Sequence, residues 1–344
     1  MISKIDFTIG IPVYNGRKDI EALVRSIRDD LAGLDYEVIV VEDGKSTDLC
    51  REVVEKYLPT QRGGSAAQYI YDPDCFGIAQ ATEKIITAMR GRYLLRLDAD
   101  TIVNREAVEK MRQYMDNHPD VGVLAPKLVN LDGSFQPSYE THFKEPIEWF
   151  WDYALWIKKF VAKIRNSKFE IRKKASGDSA LPKIKSAFEE PIPVAYMASA
   201  AVMIRREAID QVGGIDPEME FFMEDADWII RIGAHKASRK GRALLYWPAV
   251  SIVHIGGQSG QLYIHCRDRS LKNLYYFYRK HRPGAVNQLV LTTAVLSGSL
   301  LSLVLALAVF PFSILNSQLS IISSRALRSF FNVFRWHIIK LLKL

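Results

Sequence analysis

Cysteine is scarce. Cys50, Cys75 and Cys266 are the only three among 344 residues. An odd count without metal-ligand spacing speaks against a disulfide framework and fits a reducing compartment. The opening residues, Met1 to Asp6, lack the basic start and apolar run of a signal peptide, so the N-terminal domain is expected in the cytoplasm. No Gly-x-Gly-x-x-Gly follows the first apolar segment, where Pro12-Val13-Tyr14-Asn15 stands instead, which leaves a plain dinucleotide-binding oxidoreductase without support. Internal repeats and low-complexity tracts are also missing. Charge of either sign is absent from Ala285 to Ser324.

What is present has the composition of a folded protein, 48% apolar and 25% charged, long enough for a large α/β domain and a smaller unit. Phe7 to Val13 reads as a buried strand and Asp19 to Leu31 as an amphipathic helix. Tyr36 to Val41 is a continuous β-branched run of the kind buried parallel strands use. A helix over about Thr47 to Tyr57, a strand at Tyr69 to Tyr71 and a helix from Ala79 to Arg90 follow. Strands are also expected at Val121 to Pro126, at Ala198 to Ile204, near Ala243 to Tyr246 and at Val250 to His254, with helices at Arg105 to Asn117, Arg206 to Val212 and through Ile229 to Ile232. This alternation predicts a doubly wound, mainly parallel sheet.

The sheet is organised around Arg92 to Asp100. That strand ends in two carboxylates, Asp98 and Asp100, at the rim where open α/β sheets bind ligands. In extended backbone the two point to one side. A hard divalent cation carrying phosphate oxygens, Mg²⁺ or Mn²⁺, would relieve their repulsion. Arg96 shares that face, and either offsets carboxylate charge or meets a diphosphate.

The excess of seven positive charges is concentrated between Lys158 and Lys185 and in the last twenty residues. The first cluster belongs to an insertion at about 145–193, where Trp149, Trp151, Trp156 and Phe160 alternate with lysines and arginines. It is either a solvated helical excursion or a lid facing a membrane or an acceptor. No nucleic-acid motif accompanies the charge, so nucleic acid is not expected as a partner. The tail divides from the rest at residue 285. Leu289 to Phe310, at about 1.5 Å per residue, is long enough to cross the roughly 30 Å of a bilayer core. Ser297, Gly298 and Ser299 interrupt it, and Pro311 follows. Beyond it, Arg325, Arg328, Arg335, Lys340 and Lys343 share a helical surface with Phe331, Phe334 and Trp336, as in a basic amphipathic helix on an anionic membrane. Basic residues flank the apolar run on both sides, so a shallow hairpin competes with a single span. A soluble pair of core helices is the third reading.

Seven motifs fall in a common order: Ile11-Pro12-Val13-Tyr14-Asn15, Val41-Glu42-Asp43 with Ser46-Thr47-Asp48, Leu97-Asp98-Ala99-Asp100, Ile204-Arg205-Arg206, Gly213-Gly214-Ile215-Asp216, Phe222-Met223-Glu224-Asp225-Ala226-Asp227, and Val253-His254-Ile255-Gly256-Gly257. Over roughly Phe7 to His281 the chain resembles the family 2 inverting, metal-dependent glycosyltransferases of the nucleotide-diphospho-sugar transferase (GT-A) fold. Within them it is most similar to the rhamnosyltransferase-like enzymes of bacterial cell-surface polysaccharide synthesis. It departs from their pattern at Gly44-Lys45, at Cys75 and at Ala200, which bears on donor specificity.

The resemblance implies a GT-A domain over 1–284, and the tail's own pattern a membrane-associated segment over 285–344. It implies Asp98 and Asp100 as metal ligands, with His254 as the third, and Asp225 as the base that takes the acceptor hydroxyl's proton. An apolar setting would raise the basicity of Asp225, and Glu224 would bind an acceptor hydroxyl or support the base. Pro12, Tyr14, Asn15 and Asp43 would shape the nucleotide pocket, with Asp43 accepting from base or ribose. Arg267 and Arg269 read as a solvated loop, and Asp227 with Arg231 as an intrahelical ion pair. The expected partners are a nucleotide-diphosphate sugar, a polyprenyl-diphosphate-linked saccharide and the cytoplasmic face of the inner membrane. The rivals are a polyprenyl-phosphate sugar synthase and a non-catalytic scaffold that binds nucleotide sugar.

Overall fold

The computed structural model describes residues 5–58, 67–154, 189–219, 222–234, 242–255, 268–313 and 317–342. Most of the basic insertion lies outside them, as do Gly256, Gly257 and Arg267. The chain divides into two compact units, Met1–Phe143 with Ser186–Gln258, and Lys144–Lys185 with Ser259–Leu344. The second unit takes in more than the expected 285–344 tail.

The first unit holds twelve strands among the described residues. They are β1 (Phe7–Val13), β2 (Tyr36–Glu42), β3 (Ala67–Tyr71), β4 (Tyr93–Leu97), β5 (Thr101–Ile102), β6 (Val121–Val129), β7 (Phe135–Gln136), β8 (Tyr139–Glu140), β9 (Ile192–Pro193), β10 (Tyr196–Met197), β11 (Ala201–Arg205) and β12 (Ala243–His254). The main sheet runs β3-β2-β1-β4-β11-β6-β12-β5. β1 pairs in parallel with β2 and β4, while β11 lies antiparallel between β4 and β6. β8 and β10 form a separate two-stranded ribbon. This is the mainly parallel, mixed sheet that the alternating pattern predicts.

β2 shows why the sheet is buried on both faces. Val38 and Val40 pack into one core with Ile9, Ile11, Leu95 and Leu97. Ile39 and Val41, one residue out of phase, pack into the other with Leu94, Val202 and Ile204. Helices α1 (Ile20–Asp30), α2 (Arg51–Tyr57) and α4 (Arg105–Asn117) supply the first layer, through Leu23, Val24, Ile27, Val54, Val108 and Met111. Helices α3 (Gly77–Ala88), α6 (Arg206–Val212) and α7 (Glu224–Ala234) supply the second, through Ile85, Ile209, Trp228 and Ile229. The two segments expected after Arg242 form one strand, β12, irregular between Trp247 and Ser251. Helix α7 begins at Glu224, earlier than the apolar spacing indicates. Its first turn carries Glu224, Asp225 and Asp227, charges that a helix N-terminus favours.

The second unit contains α5 (Trp149–Ala154), α8 (Asp268–His281), α9 (Ala285–Ser313) and α10 (Ser317–Leu342). Ser297, Gly298 and Ser299 do not break α9. Ser297 Oγ donates to the Thr293 carbonyl one turn back at 2.6 Å, which a helix accommodates. At Gly298 an added Cβ would lie 2.5 Å from the Phe150 carbonyl, so glycine allows α5 to approach the helix closely. Pro311 also falls inside the helix. Trp149 Nε1 donates to the Tyr278 hydroxyl at 2.7 Å, tying α5 to α8. The Tyr275 hydroxyl lies 2.7 Å from His337 Nε2, tying α8 to α10. Among the described residues, Ala285–Leu305 is the segment long and apolar enough, by length and composition, to cross a membrane.

Candidate active site

Strand β4 stops at Leu97, and the chain then turns rather than running on extended. The Asp98 carbonyl accepts from the Thr101 amide at 3.2 Å and from the Thr101 hydroxyl at 2.8 Å. The turn, and not strand alternation, therefore brings Asp98 and Asp100 together. β5 follows at once and pairs antiparallel with the end of β12, placing His254 opposite Thr101. His254 Nε2 lies 3.1 Å from Asp100 Oδ1 and 3.9 Å from Asp98 Oδ2. Ligand atoms of all three residues fall within 4.8 Å of one another.

This donor set fits a divalent cation. His254 Nε2 is buried yet has no aligned hydrogen-bond partner, although a carboxylate oxygen lies close. Its other ring nitrogen, Nδ1, is held by Gln136 Oε1 at 2.8 Å. Burial pushes the imidazole towards neutrality, but Asp100 and Asp98 more than offset this and leave its pKa raised. Asp19 is raised as well, first by burial and then by the charges of Asp100 and Asp48. The rim favours positive charge.

Arg96 is resolved by the structure. It is 1% exposed and points inward, with Nη1 2.7 Å from Asp98 Oδ1. The same nitrogen donates to the Ser199 carbonyl. It offsets carboxylate charge. Ser199 in turn donates its amide to Asp225 Oδ2 at 3.1 Å, while Asp225 Oδ1 accepts from the Ala226 amide at 2.8 Å. One buried guanidinium thus links Asp98 to the segment that holds Asp225. Burial raises the pKa of both Glu224 and Asp225; the neighbouring charge of Asp98 adds to each, and Arg96 opposes it. Glu224 Oε2 is buried without a hydrogen-bond partner. Just before them, Phe222 and Met223 adopt φ of 77° and 70°, a left-handed backbone that costs non-glycine residues energy and clusters at functional sites. Asp227 and Arg231 form the expected ion pair at 2.8 Å.

At the end of β1, Tyr14 is exposed and Asn15 has φ 49°. Asn15 Oδ1 accepts from the Thr47 amide at 2.7 Å, joining the first two motifs. Pro12 pairs with Val41 beside them. Asp43 is buried, and its carboxylate accepts from the Lys45 amide at 2.8 Å and the Gly77 amide at 2.6 Å. Two departures from the family pattern lie together here. Gly44 donates its amide to the Cys75 carbonyl at 2.8 Å, and the Lys45 ammonium sits 4.2 Å from the centre of the Phe76 ring. The sequence reading left the role of Arg96 open and did not find Gln136, whose partner His254 is 118 residues away.

A sheet of this order with acidic side chains on its rim has the GT-A architecture, and solved transferases share it. A mannosyltransferase from Pyrobaculum calidifontis, solved with GDP-Man and Mn²⁺, superposes with a TM-score of 0.54 at 16% identity, covering 96% of this chain and 86% of that one. GalNAc-T7, solved with UDP, GalNAc and Mn²⁺, gives a TM-score of 0.51 at 14% identity, covering 83% of this chain and 52% of its own. Residues 8–213 match the model of glycosyl transferase family 2, and the chain belongs to that family. Among curated relatives, the poly(ribitol-phosphate) beta-N-acetylglucosaminyltransferase TarS of Staphylococcus aureus is 29% identical over 150 residues. The putative teichuronic acid biosynthesis glycosyltransferase TuaG of Bacillus subtilis is 31% identical over 104 residues. The matches take in 40% and 30% of this chain, and span only 23% of TarS and 39% of TuaG.

Proposed function

We propose that this protein is an inverting glycosyltransferase that moves a sugar from a nucleotide-diphosphate donor to a hydroxyl of a lipid-linked saccharide in bacterial cell-surface polysaccharide synthesis. The observation that carries the reading is the Asp98–Arg96–Ser199–Asp225 connection, which couples the acidic rim to a buried carboxylate. Asp98, Asp100 and His254 would hold Mg²⁺ or Mn²⁺, which supplies Lewis-acid stabilisation to a departing diphosphate. Tyr14, Asn15 and Asp43, with Pro12, would seat the nucleotide; each Asp43 oxygen retains a second lone pair for base or ribose. Asp225 takes the acceptor proton as the acceptor oxygen bonds to the anomeric carbon and the bond from that carbon to the diphosphate breaks. Burial supplies the basicity. Glu224, buried beside it, holds a proton more tightly than an ordinary carboxyl and can present it to an acceptor oxygen.

The names of TarS, a poly(ribitol-phosphate) glycosyltransferase, and TuaG, of teichuronic acid biosynthesis, support the polysaccharide setting. Rhamnose as the sugar follows from the resemblance alone. The apolar Ala285–Leu305 segment and the exposed Phe331, Phe334, Ile338 and Ile339 of α10 support attachment to the cytoplasmic face of the membrane, and through it a polyprenyl-diphosphate-linked acceptor.

Asp225→Asn tests the reading. General-base removal should lower turnover on a hydroxyl acceptor by about 10²–10⁴ and leave Mn²⁺ binding intact. A polyprenyl-phosphate acceptor needs little deprotonation, so activity surviving in Asp225→Asn would move the assignment to a polyprenyl-phosphate sugar synthase. A wild type that neither transfers nor hydrolyses any nucleotide sugar with Mn²⁺ would instead fit a scaffold.

A further inference from the structure

Behind His254 stands a chain of hydrogen bonds whose direction is set at every link. Gln136 Nε2 has two acceptors, the His254 carbonyl at 2.8 Å and Asn130 Oδ1 at 2.5 Å. Both amide protons are thereby committed, and the group facing His254 Nδ1 at 2.8 Å is the carbonyl Oε1. An oxygen carries no proton, so Nδ1 must donate. In the neutral form that binds a cation, the single N–H is therefore on Nδ1 and Nε2 carries the lone pair, beside Asp100 and Asp98.

The orientation of Gln136 is fixed from behind. Asn130 Nδ2 donates to Ser134 Oγ at 2.7 Å, so its Oδ1 faces Gln136. Ser134 Oγ donates to Asp132 Oδ1 at 2.6 Å. The Asn130–Ser134 turn is closed by the Asn130 amide on the Ser134 carbonyl at 2.8 Å, with Gly133 at φ 80°. Turning over either amide would set acceptor against acceptor. The His254 carbonyl fixes the Gln136 amide directly, and the exposed Asp132, through Ser134 and Asn130, supports the same orientation.

We infer that Gln136 is a positioning residue that locks His254 in the Nδ1–H tautomer and so pre-forms the site for a divalent cation. This rests on the metal reading of Asp98, Asp100 and His254. A lone pair aimed at two carboxylates is unfavourable alone and becomes favourable when a cation lies among them. Partners of this kind orient ligating histidines and are typically worth about 10- to 100-fold in metal affinity.

The test is a titration of the full chain with Mn²⁺, read by loss of the free-ion electron paramagnetic resonance signal. Gln136→Met keeps the length and removes the acceptor; its Mn²⁺ dissociation constant should rise by about 10- to 100-fold. Gln136→Glu restores an acceptor to Nδ1 but sets its second oxygen against the His254 carbonyl and Asn130 Oδ1, so only part of the affinity should return. Asn130→Leu, one bond further back, should weaken binding in the same direction and stands in if Gln136→Met does not fold. Unchanged affinity in folded Gln136→Met, or Gln136→Glu as weak as Gln136→Met, overturns the inference. If His254→Ala also binds Mn²⁺ like the wild type, the metal reading falls with it; if His254→Ala alone is weak, only the role of Gln136 falls.

Discussion

Arg96→Met separates the two jobs assigned to the buried guanidinium. Methionine replaces most of the alkyl stem, so the change removes a charge and its bonds to Asp98 and the Ser199 carbonyl, with little loss of volume. Taking one partner from a buried ion pair typically costs about 3–5 kcal/mol, because the other charge is left uncompensated. Asp98 keeps 29% of its side chain exposed, so water relieves part of that burden and the lower end, about 3 kcal/mol, applies. In a unit of this size each kcal/mol moves the melting temperature by about 2–4 °C, so metal-free protein should melt about 6–12 °C lower. The effect on a bound cation runs the other way. Loss of a fixed positive charge beside Asp98 makes the rim more negative, so Mn²⁺ should bind more tightly and saturating Mn²⁺ should restore part of the lost stability. Thermal melts of both proteins with and without MnCl₂ read both effects. A variant that melts with the wild type in the absence of metal would show that the pair is not stabilising. A variant that no longer responds to Mn²⁺ would show that Arg96 holds Asp98 in place rather than balancing its charge.

Two further predictions concern Glu224 and the helical tail. Glu224 is raised by burial, so the folded chain keeps its proton above the unfolded value of about 4.3. That contribution to stability is fully present below the unfolded value and is lost as pH rises through the folded one. Glu224→Gln cannot ionise and should lose less stability than the wild type between about pH 5 and 9, read as urea midpoints; parallel profiles would contradict the burial argument. On α10, Phe331 and Phe334 are 60% and 48% exposed, and Arg328 is exposed beside them. Since each aromatic contributes about 1.5–3 kcal/mol when buried in an apolar phase, replacing both with serine should weaken binding to anionic phosphatidylglycerol vesicles at least about tenfold. Equal co-sedimentation of variant and wild type would remove α10 from the membrane reading.

The parts of the molecule that sequence reveals are those built from repetition. β1, β2 and β4 announce themselves because strands buried on both faces need mostly apolar runs, and α1 and α4 because one face of each packs on the sheet. Single contacts do not repeat. The Ser297-Gly298-Ser299 interruption looks like a break in an apolar run, but the serine hydroxyl returns to its own helix and the glycine serves a neighbour outside the pattern. The start of α7 is hidden in the same way, since two left-handed residues and a cluster of acids precede its first apolar turn. Asp98 and Asp100 are visible as a motif, yet their convergence depends on the turn at Thr101 and on β5 pairing with β12. Gln136 carries no signal of its own; a glutamine in a short strand matters only because of the ring it faces.

The same contrast explains the electrostatics of the site. Asp98, Glu224 and Asp225 gather around one buried arginine, with Asp100 close to Asp98, and no local propensity asks for that grouping. Burial favours the protonated form of Glu224 and Arg96 offsets Asp98, but Asp100 and the His254 imidazole still face each other at 3.1 Å, and the two rim carboxylates draw positive charge towards that nitrogen. A fold selected for stability alone would replace such a set with apolar side chains of similar volume, often at no cost. Its persistence at the end of the central strand makes sense if positive charge arrives from outside the chain, and that is what the Arg96→Met melts measure.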